Sequence, residues 1–171
     1  MDLESLKDPQ WLKKVRYRIG YIVMEFNYLE RQIDEIILGI MNSRAEDERV
    51  WIFLESFSAD KKIDTLSKLY DNYFTEVKFD EQFKEKKKIL FQTLNEIRVN
   101  RNIYIHADWM NEFNGDLVEW KTKKVKSGEY GRVHKRISIA DLDEDLNRIM
   151  NMQVKLYEFH EEITQKFFSS F

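Results

Sequence analysis

The chain has no cysteine, only one proline and five glycines, and no long uninterrupted apolar run. Without cysteine it can form no disulfide, thiolate metal site or cysteine nucleophile, which is compatible with a reducing compartment. No apolar run approaches the roughly 20 residues of a membrane-spanning helix, and the N-terminal segment lacks the pattern of a secretory signal. We therefore expect a soluble, cytoplasmic protein without a membrane partner, and the scarcity of proline and glycine favours long helices.

The composition is ordinary for one helix-rich domain that covers residues 1–171. Hydrophobic residues make up 43% and charged residues 35% of the chain, which supplies enough apolar material for a core. The formal net charge of −3 does not by itself indicate a nucleic-acid-binding protein.

Apolar residues recur at alternating spacings of three and four near the start of the chain. This pattern predicts an amphipathic helix from Pro9 to about Met41, with Asp8 as its N-cap. The predicted buried stripe comprises Leu12, Val15, Ile19, Ile22, Phe26, Leu29, Ile33, Ile36 and Ile40. Part of so long a stripe could face a second copy of the chain.

The rest of the chain predicts three or four more helices and one hairpin. We expect a short helix over 44–57, a helix over 59–74 capped by Ser58, and a long helix over about 80–109. The last helix begins at Ser138, which has the spacing of a capping box with Asp141. Residues 111–138 alternate β-forming residues around "KSGEYG", which predicts a β-hairpin. The predicted fold is all-α, an antiparallel, up-down bundle of four to five helices with this hairpin inserted before the last long helix.

The stripe of the 80–109 helix is apolar until near its end, where Arg101, Tyr104 and Asp108 continue it. On an ideal helix Asn102 and His106 share one face, about 40° apart, whereas Arg101 lies about 140° from His106. Asp108 is a natural charge partner for Arg101, so a plain ion pair is one explanation of this charged cluster.

The segment "RNIYIH", with an arginine, an asparagine, three further residues and a histidine near the end of a bundle helix, resembles the signature of the HEPN superfamily. The resemblance implies a helical domain that, in many members, is a metal-independent endoribonuclease of toxin–antitoxin or antiviral defence systems. It also implies a homodimer whose two motifs line one cleft, an RNA substrate, an antitoxin partner, and neither cofactor nor metal. One variant of the family carries a tyrosine two residues after the histidine, which a nucleotidyltransferase modifies; Asp108 stands at that position, so this mode of control is not supported.

The chemistry of RNA cleavage agrees with these residues. His106 would take the proton of a ribose 2′-OH, and the planar fork of Arg101 would stabilise the phosphorane. Asn102 would orient the histidine or a phosphate oxygen, and the expected products are a 2′,3′-cyclic phosphate and a 5′-hydroxyl. The supporting residues would be Arg98, Tyr104 and Asp108. The alternative is a non-catalytic helical module that binds a nucleotide, RNA or a protein.

The predicted hairpin carries seven cations against three carboxylates between residues 116 and 138. Such a basic segment with interleaved aromatic residues could follow an RNA backbone, or its cations could only keep an exposed edge soluble. The candidate RNA-binding residues are Lys121, Lys123, Lys124, Lys126, Arg132, Lys135 and Arg136. His134 is expected to be solvated, and His160 is expected to be a hydrogen-bonded core or interface residue, since no histidines have metal-binding spacing.

Overall fold

The computed structural model of the chain describes residues 10–41, 48–77, 79–106, 108–111, 117–124 and 130–169, and in the strands it describes only the backbone as far as Arg136. The described part is mainly helical, which confirms the predicted dominance of helices. The helices are α1 (Gln10–Ile40), α2 (Glu48–Glu55), α3 (Ala59–Glu76), α4 (Glu81–His106) and α5 (Ile139–Phe168), and the strands are β1 (Asp108–Asn111), β2 (Leu117–Lys124) and β3 (Tyr130–Ile137).

Helix α1 buries the stripe that its periodicity predicts. Val15, Ile22, Leu29 and Ile33 are all at most 2% exposed. A strict spacing of three and four residues keeps these side chains on one face over about five turns, so the helix follows from the pattern alone. The predicted start of the helix at Asp8 and Pro9 lies outside the described residues.

Of the three predicted N-caps, Ser58 and Ser138 fall within the described residues and lie where the sequence placed them, but only Ser138 caps through its side chain. Ser138 accepts a hydrogen bond from the backbone N–H of Asp141, whose carboxylate accepts from the backbone N–H of Ser138, so the capping box of α5 is confirmed. Ser58 has the extended backbone of an N-cap, yet its side chain makes no hydrogen bond to the backbone of α3.

Helix α4 is shorter than predicted, because it ends at His106 and the chain re-enters regular structure as strand β1. The prediction that Asp108 continues the stripe of this helix is therefore wrong. Residues 108–111 pair with β2 instead, so that Asp108 is opposite Trp120 and Met110 is opposite Val118. A strand partner supplied from further along the chain overrides the helical period at this point.

The three strands form one antiparallel sheet in the order β1-β2-β3. Leu117 is opposite Ile137 and Lys124 is opposite Tyr130 in the β2–β3 pair. Ile137, the last residue of β3, is 1% exposed and belongs to the helical core. The sheet therefore joins the bundle where β3 leads into α5.

Contacts between named side chains give the directions of the long helices. Helices α4 and α5 are antiparallel, because Asn100 contacts Asp145 at one end and Lys86 contacts Glu162 at the other. Arg18 of α1 binds Asp143, early in α5. Further along both helices, the amide of Gln153 donates to Glu25, so α1 and α5 run in the same direction.

The core lies between α1, α3, α4 and α5. Its fully buried side chains include Leu66 and Tyr70 of α3, Leu94 of α4, and Leu142 and Leu156 of α5. Within the described residues, no helix combines the length and the apolar character that would be needed to cross a bilayer.

Candidate functional site

The C-terminal half of α4 carries the candidate site. Leu90, Leu94 and Ile97 face the core, and the same stripe continues with Arg101 and Tyr104. One face of this part of α4 therefore packs against the core, while its other face is exposed to solvent.

Arg101 lies half-buried between α4 and α1. The central carbon of its guanidinium is 5.2 Å from the centroid of the Phe26 ring, a cation–π contact with the core face of α1. Its Nη1 donates to the Oδ1 of Asn102 at 3.1 Å, and its buried Nε has no hydrogen-bond partner within the described residues. A guanidinium has five N–H donors, so this side chain keeps most of its donors for another acceptor.

No carboxylate of a described side chain forms an ion pair with Arg101. The predicted pairing with Asp108 falls on a side chain outside the described residues. Among the described residues, the guanidinium contacts the aromatic face of Phe26 and the amide oxygen of Asn102. These contacts orient the guanidinium without neutralising it.

His106 is the last residue of α4 and its side chain is exposed. It makes no hydrogen bond or ion pair with another described side chain, including Arg101 and Asn102. The five-residue separation places the two α-carbons about 7.5 Å apart along the helix axis. Arg101 and His106 are therefore not a bonded pair, and about 140° separates them around the helix axis.

Asn102 forms a hydrogen bond with Arg101, and none joins it to the side chain of His106. Its carbonyl oxygen accepts the hydrogen bond from the arginine, which leaves the amide N–H groups as donors on the half-buried side of α4. The predicted role of Asn102 in orienting the histidine has no counterpart in these contacts. Its observed role is to hold the guanidinium.

Tyr104 anchors this end of α4 to α5. Its hydroxyl donates to the carboxylate of Asp145, and the side-chain amide of Asn100 donates to the same carboxylate at 3.1 and 3.2 Å. Tyr104 is 3% exposed, so its supporting role is structural. Sequence reasoning missed Asn100 and Asp145, since an acidic residue at the start of a helix has an ordinary explanation in the helix dipole.

Arg98 is turned toward the start of α3. A hydrogen bond with Ser58 lowers the pKa of Asp60, and the nearby positive charge of Arg98 lowers it further. The Nε of Arg98 is buried and, like that of Arg101, has no hydrogen-bond partner among the described residues. Two arginines one helical turn apart thus have donor groups that the described part of the protein does not use.

The basic residues of the predicted hairpin have a described backbone but no described side chains, and Lys126 lies outside the described residues altogether. The register places Lys121 opposite Val133, Lys123 opposite Gly131 and Lys135 opposite Glu119. The proposed role of this segment in binding RNA stays a prediction. The side chain of His134 likewise lies outside the described residues.

His160 is a hydrogen-bonded residue of the core, as predicted. Its Nδ1 lies 3.2 Å from the hydroxyl of Tyr70, which is completely buried and packs edge-on against Phe159. Burial lowers the pKa of His160, because the charged imidazolium loses hydration there. The histidine is therefore part of the packing between α3 and α5. It lies away from Arg98, Arg101, Asn102 and His106, which together form the α4 cluster.

A second buried polar cluster joins α1 to α3. Lys62 Nζ lies 2.7 Å from the Oδ2 of Asp34 and 3.0 Å from the Oε1 of Glu30. Burial opposes the charge of Lys62, but the hydrogen bonds to the two carboxylates outweigh it and raise its pKa. Burial raises the pKa of Asp34 in spite of the lysine, and its Oδ1 has no partner among the described residues.

Two grooves on the bundle lie outside the α4 cluster. One of about 410 Å³ runs between α3 and α4 and includes Lys87, whose ammonium is 2.5 Å from a carboxylate oxygen of Asp71. The other, of about 320 Å³, runs between α4 and α5 beside Ile89 and Met152. Neither groove is lined by Arg101 or His106, and in the described part of the chain no three acidic or histidine side chains converge as metal ligands.

The fold and the α4 cluster together describe a helical-bundle protein with an oriented arginine and an exposed histidine at one end of a core helix. Comparisons of this chain with models of protein families, with curated proteins and with solved structures give no match.

Proposed function

We propose that this protein is a metal-independent endoribonuclease of the HEPN type that acts as a toxin or antiviral effector. In this proposal the chain is an up-down helical bundle that carries a β-hairpin as an insertion. The observation that supports it most is the state of Arg101, whose guanidinium is oriented by Phe26 and Asn102 but not neutralised by a described carboxylate. A cation held in this way can stabilise a phosphate without first breaking an ion pair.

The proposed mechanism uses attack by the ribose 2′-OH. His106 removes the proton of this hydroxyl, and the oxygen forms a bond to phosphorus while Arg101 stabilises the charge on the phosphorane. The bond between phosphorus and the 5′-oxygen then breaks, and the leaving oxygen takes up a proton. The products are a 2′,3′-cyclic phosphate and a 5′-hydroxyl. The exposure of His106 supports this role, since a bound ribose must reach its ring.

The test is cleavage of RNA by the purified protein in the presence of EDTA. We expect cyclic phosphate ends, and a fall in rate of about 100-fold or more for both Arg101→Ala and His106→Ala. Arg101→Lys keeps the charge but loses the fork, so it should recover only part of the rate. Arg31→Ala is the matched control, because the Arg31 side chain is 70% exposed and its partner among the described residues is Glu35 on its own helix.

Full cleavage by the Arg101 and His106 variants would show that these residues do not catalyse the reaction. Circular dichroism spectra equal to that of the parent would exclude loss of fold as the cause of a lower rate.

The alternative is a non-catalytic HEPN-like module that binds a nucleotide, RNA or a protein partner. The observation that favours it is the lack of a hydrogen bond between Arg101 and His106, while Arg101 is part of the contact between α1 and α4. A binding measurement separates the two functions. The alternative predicts RNA binding that Arg101→Ala weakens, without cleavage by any variant.

The resemblance further predicts an RNA-cleaving homodimer with one shared cleft, held inactive by an antitoxin protein in the cytoplasm. These partners and this location stay predictions. Cleavage restored by mixing the Arg101→Ala and His106→Ala variants would support a shared cleft, because each copy then contributes one intact residue.

A further inference from the structure

The outer face of α1 is aromatic and apolar instead of polar. Tyr17, Tyr21, Met24 and Tyr28 follow one another at spacings of four, three and four residues, so they form one stripe. Tyr17 is 64% and Met24 66% exposed, although both lie within a regular helix. An amphipathic surface helix normally presents charged and polar residues on the side that faces away from the core.

Helix α5 presents a matching stripe beside it. Met150, Val154 and Tyr157 have the same helical spacing and are 48%, 57% and 55% exposed. On an ideal helix Met150 lies within about 20° of Asp143, and Tyr157 lies within about 40° of Gln153. Both Asp143 and Gln153 contact α1, so this stripe borders the line where the two helices meet.

The two stripes therefore form one patch, the α1/α5 apolar face, made of Tyr17, Tyr21, Met24, Tyr28, Met150, Val154 and Tyr157. With about 200 Å² for a fully exposed large side chain, the patch exposes on the order of 700 Å². This is near the roughly 800 Å² that each partner buries in a protein interface of standard size. It also exceeds the largest apolar patch of most monomers, and tyrosine and methionine are enriched in interfaces.

We propose that the α1/α5 apolar face is the surface through which two copies of this chain associate. The charges at its two ends argue for a second copy and not for an unrelated partner. Lys13 and Lys14 are exposed at the start of α1, and Glu158 and Glu161 are exposed toward the end of α5. Because α1 and α5 run in the same direction, the lysines and the glutamates lie at opposite ends of the face. Arg31, an exposed cation at the glutamate end, is paired with Glu35 on its own helix and leaves the sign of that end negative.

A two-fold axis through the middle of the face places the basic end of one copy against the acidic end of the other. Such an interface is isologous, since the same patch serves both copies and every charge contact occurs twice. The aromatic rings of the two α1 helices then meet near the axis. A patch that carries both signs of charge at opposite ends is complementary to itself in this arrangement.

This association does not depend on the proposed ribonuclease activity. Phe26 contacts Arg101 from the core side of α1, which is opposite to the side that carries Tyr17, Met24 and Tyr28. The α4 cluster is therefore not part of the face. Two copies joined through α1 and α5 each keep their own Arg101 and His106, so this dimer differs from the shared-cleft homodimer that the resemblance predicts. The α1/α5 dimer alone predicts no cleavage when the Arg101→Ala and His106→Ala variants are mixed.

The first test is the mass of the full chain in solution, measured by light scattering after size exclusion over a range of concentrations. We expect the parent to be a dimer and the Met24→Glu, Val154→Glu double variant to be a monomer. Its dissociation constant should rise by about 100-fold or more, because the interface would bury unpaired carboxylates. Ile89→Glu is the matched control, since Ile89 on α4 is also 57% exposed but lies outside the face, and it should remain a dimer.

The second test reverses the charges at the two ends. Replacing Lys13 and Lys14 by glutamate should weaken the dimer, and adding Glu158→Lys and Glu161→Lys in the same chain should restore it. Restoration supports the two-fold arrangement, whereas further weakening contradicts it. A parent that stays monomeric at every concentration, or a Met24→Glu, Val154→Glu variant that dimerises like the parent, overturns the proposal.

Discussion

Replacing Lys62 by methionine tests how the buried charges of this bundle are balanced. Lys62 is 5% exposed, and its ammonium is held by Asp34 at 2.7 Å and by Glu30 at 3.0 Å. Methionine keeps much of the length of the side chain but none of its charge, so Asp34, which is only 6% exposed, loses its cation. We expect the free energy of unfolding to fall by about 3–5 kcal/mol at about pH 7, the range for a buried ion pair with one partner removed.

The loss should depend on pH in a definite direction. Burial already raises the pKa of Asp34 with Lys62 present, and without the lysine it should rise further. A carboxyl whose pKa is higher in the folded than in the unfolded chain binds more protons when folded, so its contribution to stability is present at low pH and lost as the pH rises through the folded value. The destabilisation by Lys62→Met should therefore shrink toward about pH 4.5, by up to about 1.4 kcal/mol per pH unit.

Urea unfolding followed by circular dichroism measures this difference at both pH values. Lys68→Met is the matched control on the same helix, because the Lys68–Asp64 pair is 73% and 62% exposed and should contribute less than about 0.5 kcal/mol. The reasoning is refuted if Lys62→Met costs no more than Lys68→Met, or if its cost does not change with pH. A double variant with Asp34→Leu should recover most of the loss, because the carboxylate that remains, Glu30, is 24% exposed and can be hydrated.

Two further variants test contacts near the core and the candidate site. Burial lowers the pKa of His160, so the unfolded chain binds more protons than the folded chain as the pH falls through about 6.5. The free energy of unfolding of the parent should therefore fall from about pH 7 to pH 5.5. His160→Gln should reduce this loss, as measured by urea unfolding. Asp145→Ala leaves the hydroxyl of Tyr104 and the amide of Asn100 without their acceptor. It should lower the free energy of unfolding by about 2–3 kcal/mol in the same assay. Asp145→Asn keeps an acceptor and should lower it less. An Asp145→Ala variant as stable as the parent would contradict the role of this contact in fixing the end of α4.

Local rules account for the elements that the sequence predicted correctly. The α1 stripe repeats every three or four residues, and such a pattern needs no knowledge of its partner to fix which face is buried. The capping box at Ser138 is equally local, because all its hydrogen bonds join residues within one turn. The end of α4 was missed for the opposite reason. Asp108 fits the helical stripe by spacing, and only pairing with Trp120, twelve positions later, makes it the start of a strand.

The candidate site was predictable as a set of residues but not as an arrangement. The arginine, the asparagine and the histidine of "RNIYIH" can be read from the chain, and helical geometry gives the angle between them. That Arg101 packs on the ring of Phe26, or that Tyr104 binds Asp145, depends on contacts between residues 75 and 41 positions apart. No local pattern contains such pairings.

By itself the sequence determined a mainly helical protein, the buried stripes of its long helices, the start of the last helix and the position of an arginine–histidine motif near the end of α4. These features depend on periodicity, capping and residue chemistry over a few turns of chain. Only the tertiary structure decided which charges are buried together, as Lys62 with Asp34, and which apolar residues of α1 and α5 stay exposed side by side. The physical reason is that burial is a property of two packed surfaces, and a single helix specifies only one of them.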